Sequence, residues 1–176
     1  DMFNTAVGHY AGQSVTTGLE NTFIGGLSGD AVTTGSSNVA VGRESFSANT
    51  KGNKSVAVGA YALQVANSTT DADVYNTAVG YNAGGTLSTG ILNTLIGGVS
   101  GDALTTGTRN VAVGQGSLGL DTKGSKSVAI GQAALGTQNF TTAVDAHNVA
   151  VGNAAGVAVT TGLANTIIGG LAGDAL

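Results

Sequence analysis

Hydrophobic residues recur along the chain in short groups, each opened by a polar residue and closed by a glycine. The pattern Asn-x-x-(Val/Ile)-Gly-x-x-(Ala/Ser) occurs ten times, with Ser55 and Ser127 in place of Asn in two copies. The spacing between successive pattern glycines runs 17, 17, 17, 21, 17, 17, 17, 21, 17 along the chain. The β-branched residues in each group are typical of strands. A period this short suits one coil of a β-solenoid with two short strands and two turns, and is too short for a helical repeat.

Glycine stands at two regular places in the repeat, the first in all ten units and the second in seven. We expect the chain to reverse direction with positive φ at both. The first place closes the strand, at Gly8, Gly25, Gly42, Gly59, Gly80, Gly97, Gly114, Gly131, Gly152 and Gly169. The second follows Thr-Thr, Ser-Thr or Thr-Lys, at Gly18, Gly35, Gly52, Gly90, Gly107, Gly124 and Gly162. The Asn residues that open the units are expected to stack into an amide ladder between coils.

Every fourth unit carries a short extension, so sets of four units repeat as super-repeats that begin at Asn4, Asn76 and Asn148. The chain is therefore predicted to be a single repeat array, 1–176, with super-repeats at 4–75 and 76–147 and a partial one at 148–176. We expect the extended segments, Ser68–Tyr75 and Phe140–His147, to bulge as surface loops. Because the array starts in the tail of a long unit and stops within a unit, we expect it to be a fragment of a longer chain.

Alternate residues of a strand point to opposite faces, and both faces of the first strand are apolar. The larger row is expected to fill the coil core: Val7, Ile24, Val41, Val58, Val79, Ile96, Val113, Ile130, Val151 and Ile168. The opposite row is expected to face outward: Ala6, Phe23, Ala40, Ala57, Ala78, Leu95, Ala112, Ala129, Ala150 and Ile167. An exposed apolar stripe roughly 45 Å long, at about 4.8 Å per coil, usually marks an interface. We therefore predict a homo-oligomer joined by this second row, with Phe23, Leu95 and Ile167 plugging a common axis.

The repeat motif resembles the head repeat of the YadA-type trimeric autotransporter adhesins, as in Ser55-Val-Ala-Val-Gly59 and Ser127-Val-Ala-Ile-Gly131. It is also similar to the NTAVG-type repeats of bacteriophage tail fibres, as in Asn76-Thr-Ala-Val-Gly80. The resemblance covers the whole chain. It implies an all-β fold, a parallel β-solenoid (left-handed β-roll) of about ten 17–21-residue coils, assembled as a homotrimer through the outward row. The 17-residue unit is longer than that of the adhesin heads, and its strict order favours the phage-fibre branch.

Composition narrows the range of partners. The 176 residues include 30 Gly and no Cys, Pro or Trp; 9% are charged and 5% aromatic, and the formal net charge is −4. With so few large side chains, the chain is not expected to fill a compact globular core. The six basic residues form no dense patch, which argues against a nucleic-acid partner. The apolar runs fall well short of the roughly 20 residues needed to cross a bilayer, so no membrane insertion of this segment is expected.

The chain contains few residues of the types that usually carry catalysis, with two His and no Cys. His9 and His147 occupy different places in the repeat, and a narrow coil leaves no pocket in which a triad could converge. Asp30, Asp102 and Asp174 recur at one repeat position. Because Ca²⁺ prefers about six to eight oxygens with several carboxylates, a turn-stabilising role is favoured for them. We expect no enzyme activity, no metal and no cofactor.

Seven residues are the candidate ligand surface for a cell-surface glycan or a protein receptor. Four are lysines that recur at the same places in the first two super-repeats. Three are tyrosines that come one or two residues after a strand-closing glycine. These residues are Lys51, Lys54, Lys123, Lys126, Tyr10, Tyr61 and Tyr81.

The leading functional hypothesis is a structural segment of a trimeric extracellular fibre, in a virion tail fibre or on a bacterial cell surface, that also displays binding surface to a host. One alternative is an ice-binding β-solenoid, because threonine pairs such as Thr33-Thr34 and Thr105-Thr106 recur at strand spacing. Lys51 and Lys123 interrupt that ladder. A second alternative is a subunit of a self-assembling surface filament, because the ends of an open coil are unpaired edges.

Overall fold

The computed structural model describes residues 2–175; Asp1 and Leu176, the two ends of the predicted array, lie outside the described residues. The described chain winds into an all-β parallel solenoid of about ten coils. This confirms the parallel β-solenoid predicted from the 17-residue period. The prediction of two strands in each coil was wrong for most of the described coils, which have one.

Each coil contributes one three-residue strand to a single parallel sheet. These strands are β1 Thr5–Val7, β2 Thr22–Ile24, β3 Val39–Val41, β5 Val56–Val58, β7 Thr77–Val79, β8 Thr94–Ile96, β9 Val111–Val113, β11 Val128–Ile130, β13 Val149–Val151 and β14 Thr166–Ile168. The order in the sheet follows the chain, β1-β2-β3-β5-β7-β8-β9-β11-β13-β14. Equivalent repeat positions pair directly, as in Thr22 with Val39 and Ile24 with Val41.

Among residues 2–175, a second strand forms only next to the long units. The two-residue strands are β4 Gly52–Asn53, β6 Ala72–Asp73, β10 Gly124–Ser125 and β12 Val144–Asp145. β4 pairs with β6 and β10 pairs with β12. In the other coils this side is bent chain that still bonds from coil to coil, as in the Thr33 amide, which donates to the Thr50 carbonyl at 2.8 Å. The extended segments therefore bulge at 69–71 and 141–143 and rejoin the coil through β6 and β12.

The coil core is built from two facing columns whose sizes compensate. One column is the central residue of each strand, and the other is the fourth residue after the strand-closing glycine. Phe23 in the first column is buried between Gly12 and Gly29, where an added Cβ would lie 2.8 and 2.5 Å from the ring. Where the strand residue is Ala40, the second column carries the buried Phe46. Large and small residues thus alternate across a narrow interior, as dense packing requires.

The same compensation recurs in the later coils. Leu95 faces Gly84 and Gly101, and Ile167 faces Gly156. Alanine strand centres are matched by buried leucines in the pairs Ala57 with Leu63, Ala112 with Leu118, and Ala129 with Leu135. The four-coil super-repeat is therefore a packing repeat.

The structure reverses the predicted assignment of the two strand faces. The row expected outside, Phe23, Ala40, Ala57, Ala78, Leu95, Ala112, Ala129, Ala150 and Ile167, is buried inside the coil, and only Ala6 in the first coil is exposed. The row expected inside, Val7, Ile24, Val41, Val58, Val79, Ile96, Val113, Ile130, Val151 and Ile168, points outward and is half-buried or exposed. The prediction was wrong because both faces are apolar, so periodicity could not distinguish them. Large side chains on the opposite wall of the coil fill the interior, so small strand centres can face inward. Phe23, Leu95 and Ile167 consequently plug the coil interior rather than an axis between chains.

An asparagine ladder joins the coils, as predicted. Asn38 Nδ2 donates to Asn21 Oδ1 at 3.1 Å, and the Asn38 amide donates to the same oxygen at 3.0 Å. Asn38 Nδ2 also donates to the Gly52 carbonyl at 2.9 Å, across its own coil. The Ser55 amide ends this run by donating to Asn38 Oδ1 at 3.0 Å. Each buried Asn thus satisfies backbone groups on two sides, which the interior of a solenoid requires.

The two predicted sets of glycines have different structural roles. All ten strand-closing glycines have positive φ, between 127° and 139°, as predicted. The second set does not take positive φ, so that part of the prediction was wrong. Those glycines are needed for close stacking instead: a Cβ on Gly35 would lie 2.5 Å from the Gly52 carbonyl oxygen of the next coil.

Candidate functional site

The outer face of the ten-stranded sheet is an uncharged, mostly apolar surface that this chain does not cover. We define the outer face as the first and third residues of the ten three-residue strands. The third residues are the valine and isoleucine row given above. The first residues are Thr5, Thr22, Val39, Val56, Thr77, Thr94, Val111, Val128, Val149 and Thr166. All twenty side chains are valine, isoleucine or threonine, so the surface is β-branched throughout.

The outer face is partly open to solvent along its length. Ile24, Ile96 and Ile130 are 39%, 38% and 39% exposed in coils whose neighbours on both sides are present. Ten strands at about 4.8 Å spacing make a surface roughly 45 Å long and, across three residues, about 10 Å wide. A continuous apolar surface of this size is at the level where patches on soluble proteins mark interaction sites.

The outer face also has a strict repeat. One-to-one pairing, such as Val128 with Val149 and Ile130 with Val151, puts the same kinds of side chain at the same height on every coil. A surface that repeats at strand spacing is matched along its whole length only by another surface with that spacing.

Two of the predicted basic residues are neutralised by the long coils. Lys54 Nζ lies 2.6 Å from Asp73 Oδ2, and Lys126 Nζ lies 2.6 Å from Asp145 Oδ2. In the first pair, the lysine hydrogen bond lowers the pKa of the Asp73 carboxyl and raises the pKa of Lys54. Lys51 is exposed and Lys123 is half-buried on the preceding turns. Lys54 and Lys126 therefore tie the long segments to the coil below, and the expected basic spot is largely cancelled.

The structure brings two of the three candidate tyrosines together. Tyr61 and Tyr81 meet edge to face with ring centroids 5.8 Å apart, and the Arg43 guanidinium lies 5.5 Å from the Tyr61 ring centre. This Arg43–Tyr61–Tyr81 cluster is a cation–π stack on the surface. Tyr10 lies in the first coil, where its ring is tilted by 50° against that of His9, with centroids 3.8 Å apart.

The recurring aspartates show no metal-binding arrangement. Burial raises the pKa of both Asp30 and Asp102, whereas a bound cation would require ionised carboxylates close together. Between residues 2 and 175, no three His, Cys, Asp or Glu side chains are grouped closely enough to hold a metal ion.

The threonine column bonds to the coil itself. Thr16 Oγ1 donates to the Thr33 carbonyl at 3.1 Å, Thr33 Oγ1 donates to the Thr50 carbonyl at 3.0 Å, and Thr105 Oγ1 donates to the Thr122 carbonyl at 2.9 Å. These hydroxyl protons are committed to neighbouring coils rather than directed toward solvent.

Sequence reasoning missed the outer face and the arginine of the tyrosine cluster. The third strand position was expected inside the coil, and the first strand position, which includes Val39, Val56, Val111, Val128 and Val149, was not assigned to the surface. One signal in the sequence could have found it: a large strand centre such as Phe23 always coincides with glycine at the fourth position after the turn. That compensation identifies the strand centre as the inward position and leaves its two neighbours outside.

Comparison with models of protein families, with curated proteins and with solved structures finds no match for this chain. Within the described part of the chain, no helix has the length and apolar character needed to span a membrane.

Proposed function

We propose that this chain is a segment of a homotrimeric extracellular fibre, a left-handed β-roll of the kind that forms bacteriophage tail fibres or bacterial adhesin heads. Its role is to give the fibre length and stiffness and to display binding surface. The outer face carries the proposal, because an uncharged β-branched sheet about 45 Å long requires a cover.

A second copy of the same chain is the cover that fits this surface. Each coil presents the same two outward positions at the same height, so copies placed side by side around an axis parallel to the solenoid match coil for coil. Closed cyclic symmetry of this type is the common solution for homo-oligomers. The residue pattern supports three copies through its resemblance to trimeric fibre repeats.

Stiffness follows from the bonding between coils. The parallel sheet runs without interruption from β1 to β14, and the Asn21 and Asn38 side chains tie successive coils on the inside. Every coil pairs with its neighbours through the same parallel sheet, so the array resembles other solenoids in which stability is shared along one dimension. Such a rod suits a shaft better than a hinge.

Receptor binding belongs to the exposed features away from the outer face. The Arg43–Tyr61–Tyr81 cluster offers a planar cation and two aromatic rings at the surface. Aromatic and arginine side chains are enriched where proteins meet partners. We assign this cluster and the long segments as the places where a glycan or a protein receptor would bind.

Sedimentation equilibrium combined with small-angle X-ray scattering tests the proposal. The particle should have three times the 17.0 kDa mass of one chain, and its scattering should be that of a short rod. A folded monomer at micromolar concentration would contradict the trimer. An open-ended series of masses that grows with concentration would favour the end-to-end filament, and thermal hysteresis would favour ice binding.

A further inference from the structure

The two long coils share their bonding to the coil before them but have different interiors. Ser68 and Phe140 occupy the same place in successive super-repeats. Thr50 Oγ1 donates to the Ser68 carbonyl at 3.1 Å, and Thr122 Oγ1 donates to the Phe140 carbonyl at 2.8 Å. The two segments are thus anchored at the same point, and their side chains differ around it.

The second long coil is closed by two large side chains. Gln138 is fully buried, and its Nε2 donates to Asp121 Oδ2 at 2.6 Å and to Ser127 Oγ at 3.2 Å. Its Oε1 accepts from Asn148 Nδ2 at 2.8 Å. The Phe140 ring is buried beside Gly124, where an added Cβ would lie 2.9 Å from it. The interior at this coil is filled and its polar groups are paired.

The first long coil has small residues at both of those positions. Ala66 stands where the second coil has Gln138, and Ser68 stands where it has Phe140. Ser55, the equivalent of Ser127, has a buried Oγ without a hydrogen-bond partner among residues 2–175. A cavity of about 210 Å³ opens at this coil, lined by Ala66, Ser68 and neighbouring residues. The same fold is thus closed at one super-repeat and open at the other.

The lining is neutral and rich in hydrogen-bonding groups. Thr69, Thr70 and Thr89 are exposed at the cavity, so their hydroxyls can turn toward a ligand. Asp73 is the one ionisable side chain in the part of the lining that the structure describes, and its carboxylate is paired with Lys54 at 2.6 Å. No net charge is therefore offered to a ligand.

Amide and apolar groups complete the cavity. Asn49 and Asn67 bring side-chain amides, and Val74 and Ile91 bring aliphatic surface. An apolar wall with a few convergent polar groups is the usual composition of a small-molecule site. The cavity volume is roughly that of seven water molecules at about 30 Å³ each. This is close to the volume of one sugar ring.

We propose that the cavity at the first long coil binds one residue of an uncharged sugar, with the ring hydroxyls on the threonine and asparagine groups and the C–H face on the aliphatic wall. The inference deepens the receptor-binding role proposed above and rests on it for its biological sense. The cavity itself lies within one chain.

The experiment is an amide NMR titration of the whole chain with free galactose, glucose, mannose and N-acetylglucosamine, with N-acetylneuraminic acid as an anionic comparison. We expect saturable shifts from at least one neutral sugar, confined to Asn49 and to residues 66–76 and 88–91. Shifts from none of the four, or tighter binding of the anionic sugar, would overturn the proposal.

Variants that exchange the two coils locate the binding. Ala66→Gln with Ser68→Phe copies the closed coil into the open one and should abolish the shifts while leaving the rest of the spectrum in place. The matched exchange, Gln138→Ala with Phe140→Ser, includes Asp121→Asn, because Asp121 loses its buried Gln138 partner and stands where the open coil has Asn49. It should create a second set of shifts at residues 138–146. Unchanged binding after the first exchange would refute the site.

A milder variant keeps the test decisive if the exchanged coils fail to fold. Thr69→Val with Thr89→Val removes two exposed hydroxyls at nearly constant shape, and each lost hydrogen bond should weaken binding roughly two- to tenfold. Unaltered affinity in this variant would also refute the site. A monomeric chain that binds sugar would contradict the trimer alone, whereas a trimer that binds none would contradict the cavity alone.

Discussion

Phe23 lies against Gly29 of the same coil so closely that a Cβ on the glycine would come within 2.5 Å of the ring. Gly29 has φ of 57°, and it faces the ring from the opposite wall. We expect Gly29→Ala to lower the free energy of unfolding by about 1–3 kcal/mol, because the core has no room for the added methyl group. Chemical denaturation checks this. Gly116→Ala is the control, since Gly116 also has positive φ, 64°, but its Cβ would meet nothing within 4 Å. An equal loss in both variants would mean that backbone strain, and not packing, sets the cost.

Large strand centres should be strongly stabilising. Leu95 is fully buried between Gly84 and Gly101, so Leu95→Ala leaves a cavity that glycine neighbours cannot fill. The expected loss is about 2–5 kcal/mol, measured by thermal or urea unfolding. Leu120→Ala is the comparison, because that side chain is 54% exposed. If Leu95→Ala costs no more than Leu120→Ala, the strand centre does not face inward.

The asparagine ladder predicts a cost at single buried amides. Asn38→Ala would leave the Gly52 carbonyl and the Ser55 amide without their side-chain partners, at about 1–3 kcal/mol for each unsatisfied buried group. Asn38→Ser should be milder, because serine occupies this place naturally at Ser55 and Ser127. Urea unfolding measures both, and Asn153→Ala, on an exposed side chain, is the neutral reference. A stability order other than Asn153→Ala, Asn38→Ser, Asn38→Ala would argue against the ladder.

The Lys54–Asp73 pair predicts a specific response to pH. The lysine hydrogen bond depresses the pKa of Asp73 in the folded state, so the pair stabilises the fold above the unfolded pKa of aspartate. That contribution is lost as the pH falls through the lower, folded pKa. Carboxyl NMR titration should show the pKa of Asp73 rising toward its ordinary value in Lys54→Met. Lys51→Met should leave it in place, and a rise of the same size there would mean that a diffuse field sets the shift.

Period and residue type were sufficient for the coil architecture, but they did not determine which face is inside. The 17-residue spacing predicts the parallel stacking, the φ of Gly25 and the bonds between Asn21 and Asn38, because each depends on local chemistry repeated in register. The inward role of Ala40 depends on Phe46 across the coil, which is a contact between distant walls. The cavity beside Ala66 exists because alanine stands where the next super-repeat has Gln138. Neither feature can be predicted from the sequence without knowing which residues face each other across the coil.

The mass of Val113→Glu in solution shows whether the outer face joins copies of the chain. Val113 points outward from β9, and its neighbour Ala112 is completely buried. By sedimentation equilibrium we expect the unaltered chain at three times the 17.0 kDa mass of one chain, and Val113→Glu at the mass of a single chain. Circular dichroism of Val113→Glu should stay native, whereas Ala112→Glu should unfold, because its carboxylate enters the coil interior. A Val113→Glu protein that remains trimeric, or an Ala112→Glu protein that stays folded as a monomer, would contradict the account.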